Sequence, residues 1–360
     1  MEKNLFEQFE LNDDRSDRVF VIAELSANHG HSFDLAAKTI RAAKAAGADA
    51  IKIQTYTADT ITIDCDNPYF RINQDTLWDG TTLYKLYQEA YTPWEWQPLL
   101  KRIAEEEGLA FFSSPFDKTS VDFLEEMNVP AYKIASFEIT DVPLIEYVAS
   151  KGKPVIISTG IATLEDIEDA LAACRRAGNS NIALLKCTST YPAPVELANL
   201  RTIQDMKQRF RLPTGLSDHT MGSTVAITAV ALGARIVEKH FILDRSIGGP
   251  DAAFSMNPEE FAQMVRGIRE AEKALGSVTY ELTEKVKKNR KFSRSLFVVK
   301  DMDAGDMITE ENVRSIRPGD GMPPKYLPLI TGKKVSCPLK AGTPLKEEYI
   351  PLFHFAFQSL

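Results

Sequence analysis

Short apolar runs rich in Val, Ile and Phe recur along the chain, and segments of helical periodicity separate them. The runs fall at residues 19–24, 50–54, 109–113, 131–135, 154–158, 182–187, 212–217 and 235–241. The spacing of apolar residues between them predicts amphipathic helices, for example over 34–46 and 164–177. Ser120 is placed to cap a helix over 121–127, and Gly47 and Gly178 stop the helices before them. Eight strand–helix alternations over about 275 residues form the pattern of a (β/α)8 TIM-type barrel. The structural alternative, an open doubly wound sheet, would carry a Gly-rich phosphate turn after its first strand; none follows Glu24.

The cadence breaks once, over residues 55–108, a connection rich in Tyr and Trp that includes Trp78. A long connection at the C-terminal end of a barrel strand reads as a lid or binding loop. Helices are expected within it over 83–91 and 94–107, so most of its aromatics are expected in packing. After a last barrel helix over 258–275 the pattern changes to short strands and turns, with an internal repeat. Residues 304–313, AGDMITEENV, match 341–350, AGTPLKEEYI. Ala-Gly supplies the turn, an apolar residue packs, and each Glu-Glu pair suits the start of a short helix. The expected division is an N-terminal extension over 1–18, a barrel over 19–276, a linker over 277–293, a small β-rich domain over 294–352 and a tail over 353–360.

Composition narrows the function classes. With 360 residues, 44% hydrophobic and 26% charged, the chain reads as a soluble globular protein, and its net charge of −8 argues against nucleic-acid binding. No apolar run is long enough for a membrane span, and the acid-rich first eighteen residues do not read as a signal peptide. Cys65, Cys174, Cys187 and Cys337 have neither metal-ligand nor disulfide-framework spacing, which suits a reducing, cytoplasmic setting. Cys187, inside an apolar run, reads as a buried strand residue.

Barrel enzymes place their chemistry at the C-terminal ends of the strands. Every predicted strand end is polar: Glu24; Lys52 and Gln54; Ser113 and Ser114; Lys133 and Ser136; Ser158 and Thr159; Lys186 and Thr188; Ser217 and His219; His240. Lys52 and Gln54 share one face of their strand, opposite Ile51 and Ile53, and a lysine inside a barrel is costly unless it meets an anion. Helix N-termini at the same mouth add to an anion site, so a phosphate- or carboxylate-bearing substrate is expected. His219 and His240 end the seventh and eighth strands, neighbours in a closed barrel, with Glu24 beside them on the first. Two histidines, a carboxylate and open positions suit Mn, Fe, Co or Zn; His29 is either a third ligand or a loop residue. A Schiff-base lysine, Lys133 or Lys186, is the mechanistic alternative.

Eight ordered motifs carry a resemblance: FVIAE (20–24), KIQ (52–54), SSPF (113–116), YKIASFE (132–138), STG (158–160), CTSTYP (187–192), GLSDHT (215–220) and EKHF (238–241). The set resembles the sialic acid (nonulosonate) synthase family from about Val19 to Ile350, and the C-terminal piece resembles that family's antifreeze-like SAF domain. The resemblance implies condensation of phosphoenolpyruvate with an open-chain N-acyl amino sugar, giving a nine-carbon 2-keto acid and phosphate by C–O cleavage. It implies that Lys52, Ser114, Lys133, Ser136, Ser158, Ser189 and Ser217 hold phosphoenolpyruvate. It also implies that His219 and His240 bind a divalent metal, Mn by preference with Mg or Co as substitutes. Glu24, Gln54, Glu138, Tyr191 and Asp251 would surround the sugar and the reacting carbons, with Glu24 catalytic. A homodimer is implied, in which the SAF domain covers the partner's barrel and Arg317 reaches the sugar.

Residues 67–70 (NPYF) and 77–80 (LWDG) resemble the pseudaminic acid branch of the family. Ser189 stands where an Asn is common, and 248–256 (GGPDAAFSM) lacks the His that neuraminate synthases often carry after Pro-Asp. An apolar patch beside Asp251 suits a 2,4-diacetamido-2,4,6-trideoxy sugar of the L-altrose series, with N-acetylneuraminate or legionaminate synthesis as the alternative. From another class, a non-catalytic anion or sugar binder would tolerate the loss of His219 and His240.

Overall fold

The structure is a computed structural model that describes residues 4–11, 18–73 and 77–351. The chain divides into two compact units, Met1–Gly276 and Ser277–Leu360. The expected tail over 353–360 lies outside the described residues.

Eight parallel strands close into a barrel in sequence order: β1 (Phe20–Glu24), β2 (Ala50–Thr55), β3 (Ala110–Pro115), β4 (Tyr132–Ile134), β5 (Val155–Ser158), β6 (Ile182–Cys187), β7 (Thr214–Asp218) and β8 (Ile236–His240). β1 pairs with both β2 and β8, which removes the sheet edges. The (β/α)8 expectation is met, and the open-sheet alternative is ruled out. Because side chains alternate across a strand, each strand supplies two cores. Outward residues such as Ile51, Ile53, Val155 and Ile157 pack on the surrounding helices. Inward residues Phe20, Ile22, Ala50, Phe112, Ala131, Ile156, Ala183, Leu185 and Ile236 fill the barrel.

Leu5, Phe6 and Leu11 join that inner cluster, so part of the expected N-terminal extension packs into the barrel. Arg235 holds the segment by donating to the Glu10 carbonyl at 3.0 Å. Helix ends follow local chemistry, with one correction. The helix Lys118–Glu126 is capped by Asp117, whose carboxylate accepts from the Thr119 and Ser120 amides; Ser120 sits one turn inside and returns its hydroxyl to the cap. An acidic cap also meets the positive helix end better than a hydroxyl does. Gly47 and Gly178 adopt φ of +94° and +75°, where a side chain would be strained. The long β2–β3 connection contains helices Leu83–Ala90 and Gln97–Glu106, and the last barrel helix is Pro258–Leu275.

In the second unit β9 (Ser295–Val298) pairs antiparallel with β10 (Val313–Ile316) over a core that includes Leu296, Val298, Met302, Ile308, Val313, Ile330, Val335, Leu345 and Ile350. The repeat is structural: Gly305 and Gly342 share φ near 90° (+91° and +89°), while Ile308 matches Leu345 and Val313 matches Ile350 in burial. The acidic pairs differ, because Glu347 opens a 3-10 turn (Glu347–Tyr349) whereas Glu310 and Glu311 lie in a plain turn.

Candidate active site at the C-terminal mouth of the barrel

The pleat sorts the polar strand ends. Counting by two from the inner apolar positions brings Glu24, Lys52, Gln54, Ser114, Lys133, Ser158, Cys187, Ser217, Glu238 and His240 to the inner face. Register makes them neighbours around the ring: Glu24 lies opposite Lys52, Gln54 opposite Ser114, Cys187 opposite Ser217, Ser217 opposite Glu238, and Glu24 opposite His240. The same counting removes others. Ser113 turns outward and donates to the Ile53 carbonyl at 3.0 Å, and Lys186 binds the Cys187 carbonyl at 2.5 Å. Lys186 is thus on the wrong face for a Schiff base inside the barrel, which leaves Lys133 for that alternative.

Four charges alternate at the floor of the mouth. Lys52 Nζ lies 2.8 Å from Glu24 Oε2 and 3.7 Å from Glu238 Oε2, and Lys133 Nζ lies 3.4 Å from Glu238 Oε1. Lys52 also donates to Ser114 Oγ at 3.2 Å, and Ser217 Oγ donates to Glu238 at 3.0 Å. Burial pushes the Glu24 carboxyl up to about 7 despite the nearby Lys52 charge. Burial also pulls Lys133 down, although Glu238 opposes it. Lys52 is raised, because Glu238 and Glu24 together outweigh its own desolvation. Glu238 was missed as a site residue in the sequence. Its signal was there: it lies two residues before His240 and shares that histidine's face.

His219 and His240 converge, with ring centroids 5.3 Å apart. His219 Nδ1 faces the Thr188 carbonyl at 3.0 Å, which fixes a tautomer with Nε2 open for a ligand. His240 Nδ1 is buried without a hydrogen-bond partner among the described residues and lies 3.8 Å from Asp251 Oδ2. Two imidazoles with open nitrogens and an adjacent carboxylate fit a divalent ion completed by substrate or water oxygens. Among the described residues no group of three or more His, Cys, Asp or Glu side chains is gathered to enclose a metal. His29 does not complete one: its ring contacts are with His31 and Trp96, and its Nδ1 accepts from the His31 amide.

The loops supply the remaining groups. Gln54 Nε2 donates to Glu24 Oε1 at 3.2 Å and to Ser26 Oγ at 3.0 Å. Ser136 Oγ accepts from the Gly160 amide at 3.0 Å, and Ser189 crowds the same spot. A Cβ at Gly160 would lie 2.0 Å from Ser189 Oγ and 2.7 Å from Ser136 Oγ, so only glycine fits between the two serines. Ser158 Oγ and Glu138 Oε2 are buried without a hydrogen-bond partner among the described residues. Burial raises Glu138 to about 7, with Lys133 the main opposing charge. Tyr191 packs 4.4 Å from His219 between ring centroids. Asp251 accepts from the Ala27 amide at 3.3 Å, and burial raises its carboxyl. Arg317 lies in the second unit, exposed on a bend before a cis proline.

The NeuB family model matches residues 39–280 and the SAF domain model matches 293–350. The chain is 48% identical to a pseudaminic acid synthase of Campylobacter jejuni, over 92% of this chain and 96% of that one. It is 46% identical to a pseudaminic acid synthase of Helicobacter pylori, over 92% and 97%. Among solved structures it resembles an N-acetylneuraminic acid synthetase of Leptospira borgpetersenii crystallised with citrate. That match has a TM-score of 0.68 and 33% identity, covering 76% of this chain and 90% of that one. With an eight-stranded barrel, a polar mouth on the expected strand ends and both family models matched in order, the chain belongs to the NeuB family of sialic acid (nonulosonate) synthases and carries a C-terminal SAF domain.

Proposed function

We propose that the chain condenses phosphoenolpyruvate with an open-chain 2,4-diacetamido-2,4,6-trideoxy sugar of the L-altrose series and water, giving pseudaminic acid and phosphate. One observation carries the reading: Lys52, Lys133, Ser114, Ser158 and Ser217 share the inner ring with a histidine pair at its rim. The near half-identity to two pseudaminic acid synthases supports this choice of sugar.

The lysines receive the phosphate and carboxylate, with Ser114 and Ser217 beside them, and Ser158 Oγ supplies a donor that has no partner among the described residues. His219 and His240 would hold a divalent cation, Mn by preference, which would supply Lewis acidity at the aldehyde oxygen. The enol C3 attacks the aldehyde carbon with its C2–C3 π pair, forming the new C–C bond and leaving positive charge at C2, while the carbonyl π pair passes to the aldehyde oxygen, which takes a proton from solvent. Glu24, buried beside Lys52, stabilises that charge and accepts a proton from the water that adds at C2. The tetrahedral carbon then expels phosphate with C–O cleavage. Gln54 orients Glu24, while Glu138, Tyr191 and Asp251 line the sugar. In a homodimer, Arg317 of the SAF domain reaches the sugar in the partner's barrel. Use of phosphoenolpyruvate suits an enzyme working in the cytoplasm, where that substrate is made.

The test supplies phosphoenolpyruvate, Mn and a panel of acetamido sugars, then follows phosphate release and product mass. Turnover of the diacetamido trideoxy sugar, abolished by a chelator and restored by Mn, is expected. Turnover of N-acetylmannosamine alone refutes the sugar assignment, and turnover that survives chelation refutes the metal role.

A further inference from the structure

The long β2–β3 connection sends one side chain back to the site. Trp78 packs on Tyr191 with ring centroids 5.4 Å apart and planes at 55°. Tyr191 packs in turn on Phe254 at 5.2 Å, and Phe254 on His240 at 4.9 Å. Three rings from three different loops therefore form a shelf that starts at the histidine pair and runs outward to Trp78. Phe254 is buried, but Tyr191 and Trp78 are only half-buried. Exposed aromatic surface beside a polar mouth is costly in water and suits an apolar ligand group. The shelf is also held in place. Trp78 Nε1 donates to the Pro250 carbonyl at 3.1 Å, the residue before Asp251, so the β2–β3 and β8 loops are tied at this point.

We propose that Trp78 is a specificity-determining residue whose indole receives the methyl of the acetamido group at the sugar's C4. The inference rests on the function proposed above. An aldehyde carbon held at His219 and His240 puts the C2 substituent beside Tyr191, the ring nearest His219. Two bonds further along the chain, the C4 substituent meets the next ring outward, which is Trp78. A hydroxyl at C4 finds no gain on an indole face, whereas an acetamido methyl removes apolar surface from water. The shelf thereby discriminates between a diacetamido sugar and a congener with a free C4 hydroxyl, and neither lysine nor histidine takes part.

The experiment compares wild type, Trp78→Ala and Trp78→Phe with two sugars, the diacetamido trideoxy compound and its 4-hydroxy congener, at saturating Mn, with phosphoenolpyruvate saturating except where its own KM is measured. Trp78→Ala is expected to lower kcat/KM for the diacetamido sugar about 10- to 100-fold, chiefly through KM. Its kcat/KM for the congener and its KM for phosphoenolpyruvate should change less than about threefold. Trp78→Phe keeps a ring but loses the tie to Pro250, and should retain most of the preference with a loss of about fivefold. An equal fall on both sugars, a fall in phosphoenolpyruvate affinity, or no change in preference in both variants overturns the inference. A wild type that consumes no diacetamido sugar overturns the function and this inference together, so the two failures are distinguishable.

Discussion

At the N-terminal end of the barrel the inner face carries Phe20, Ile22, Ala50, Phe112, Ala131 and Ile156, closed off by Leu5, Phe6 and Leu11. Two residues further along the same strands it carries Glu24, Lys52, Ser114, Lys133 and Ser158. The first end satisfies itself: its surfaces are apolar and covered. The second leaves Ser158 Oγ, Glu138 Oε2 and His240 Nδ1 buried and without hydrogen-bond partners among the described residues. An unpartnered buried polar atom costs stability unless a ligand completes it. The difference teaches that one end stores the fold's free energy and the other spends part of it on an unfilled site.

Substitutions at the two ends should therefore separate activity from stability. The largest effect is expected at the rim. His240→Ala should cut turnover on the order of 10³-fold, because it removes half of a two-imidazole site. Its melting temperature should stay within about 3 °C of wild type, since no hydrogen bond of His240 Nδ1 is lost. A large stability loss with activity intact would break the comparison at its stronger end. Phe6→Ala is the converse case. It opens a cavity in the inner apolar cluster and should cost about 3 kcal/mol by chemical denaturation, with kcat at 25 °C changed less than about twofold. A tenfold loss of kcat in a folded Phe6→Ala protein would show that the closed end does more than support the mouth.

Most of this division was legible in the sequence, because alternation within a strand is strict. Ile51-Lys52-Ile53-Gln54 announces one polar face, and the strand bodies announce the barrel. What the strand-end pattern could not do was assign each polar residue to a face without the starting parity. Ser113 and Lys186 fell among the candidates for that reason, yet they turn outward, while Glu238 was passed over and turns in. The sequence points to Ser120 as the cap and the structure uses Asp117 for a related reason: Asp and Ser three residues apart can each begin a helix, and only the backbone shows which does. The packing of residues 4–11 into the barrel was not legible either, since a four-residue helix, Leu5–Gln8, is too short for periodicity to register. Trp78 sits in an irregular connection where no period operates, so its approach to Tyr191 depends on a tertiary hydrogen bond to Pro250.

The pH dependence of stability should carry the same signature. Glu138 is raised from 4.5 to about 7 by burial at the mouth. Below pH 4.5 it is protonated in both folded and unfolded chains and costs nothing. As pH rises from 4.5 towards 7 the unfolded chain ionises first, so stability is lost across that window and levels off above it. Denaturant midpoints of the substrate-free wild type between pH 4.5 and 8 should fall more steeply than those of Glu138→Gln. Parallel curves would mean that the mouth does not strain this carboxyl.

The smallest effect is the sharpest test, because it has the opposite sign from ordinary core truncation. Ser158 and Ile156 lie on one face of β5, two residues apart, and both are buried. Truncating an apolar side chain such as Ile156 removes packing and always destabilises to some degree. Ser158→Ala removes a hydroxyl that has no partner among the described residues, so the desolvation penalty of that group disappears while little volume is lost. The substrate-free variant should gain about 1 kcal/mol, and its KM for phosphoenolpyruvate should rise about tenfold because one donor to the ligand is gone. Saturating phosphoenolpyruvate should then raise the melting temperature of wild type more than that of the variant. If Ser158→Ala destabilises the substrate-free protein, the hydroxyl belongs to the fold, and the line between the closed end and the mouth must be drawn beyond β5.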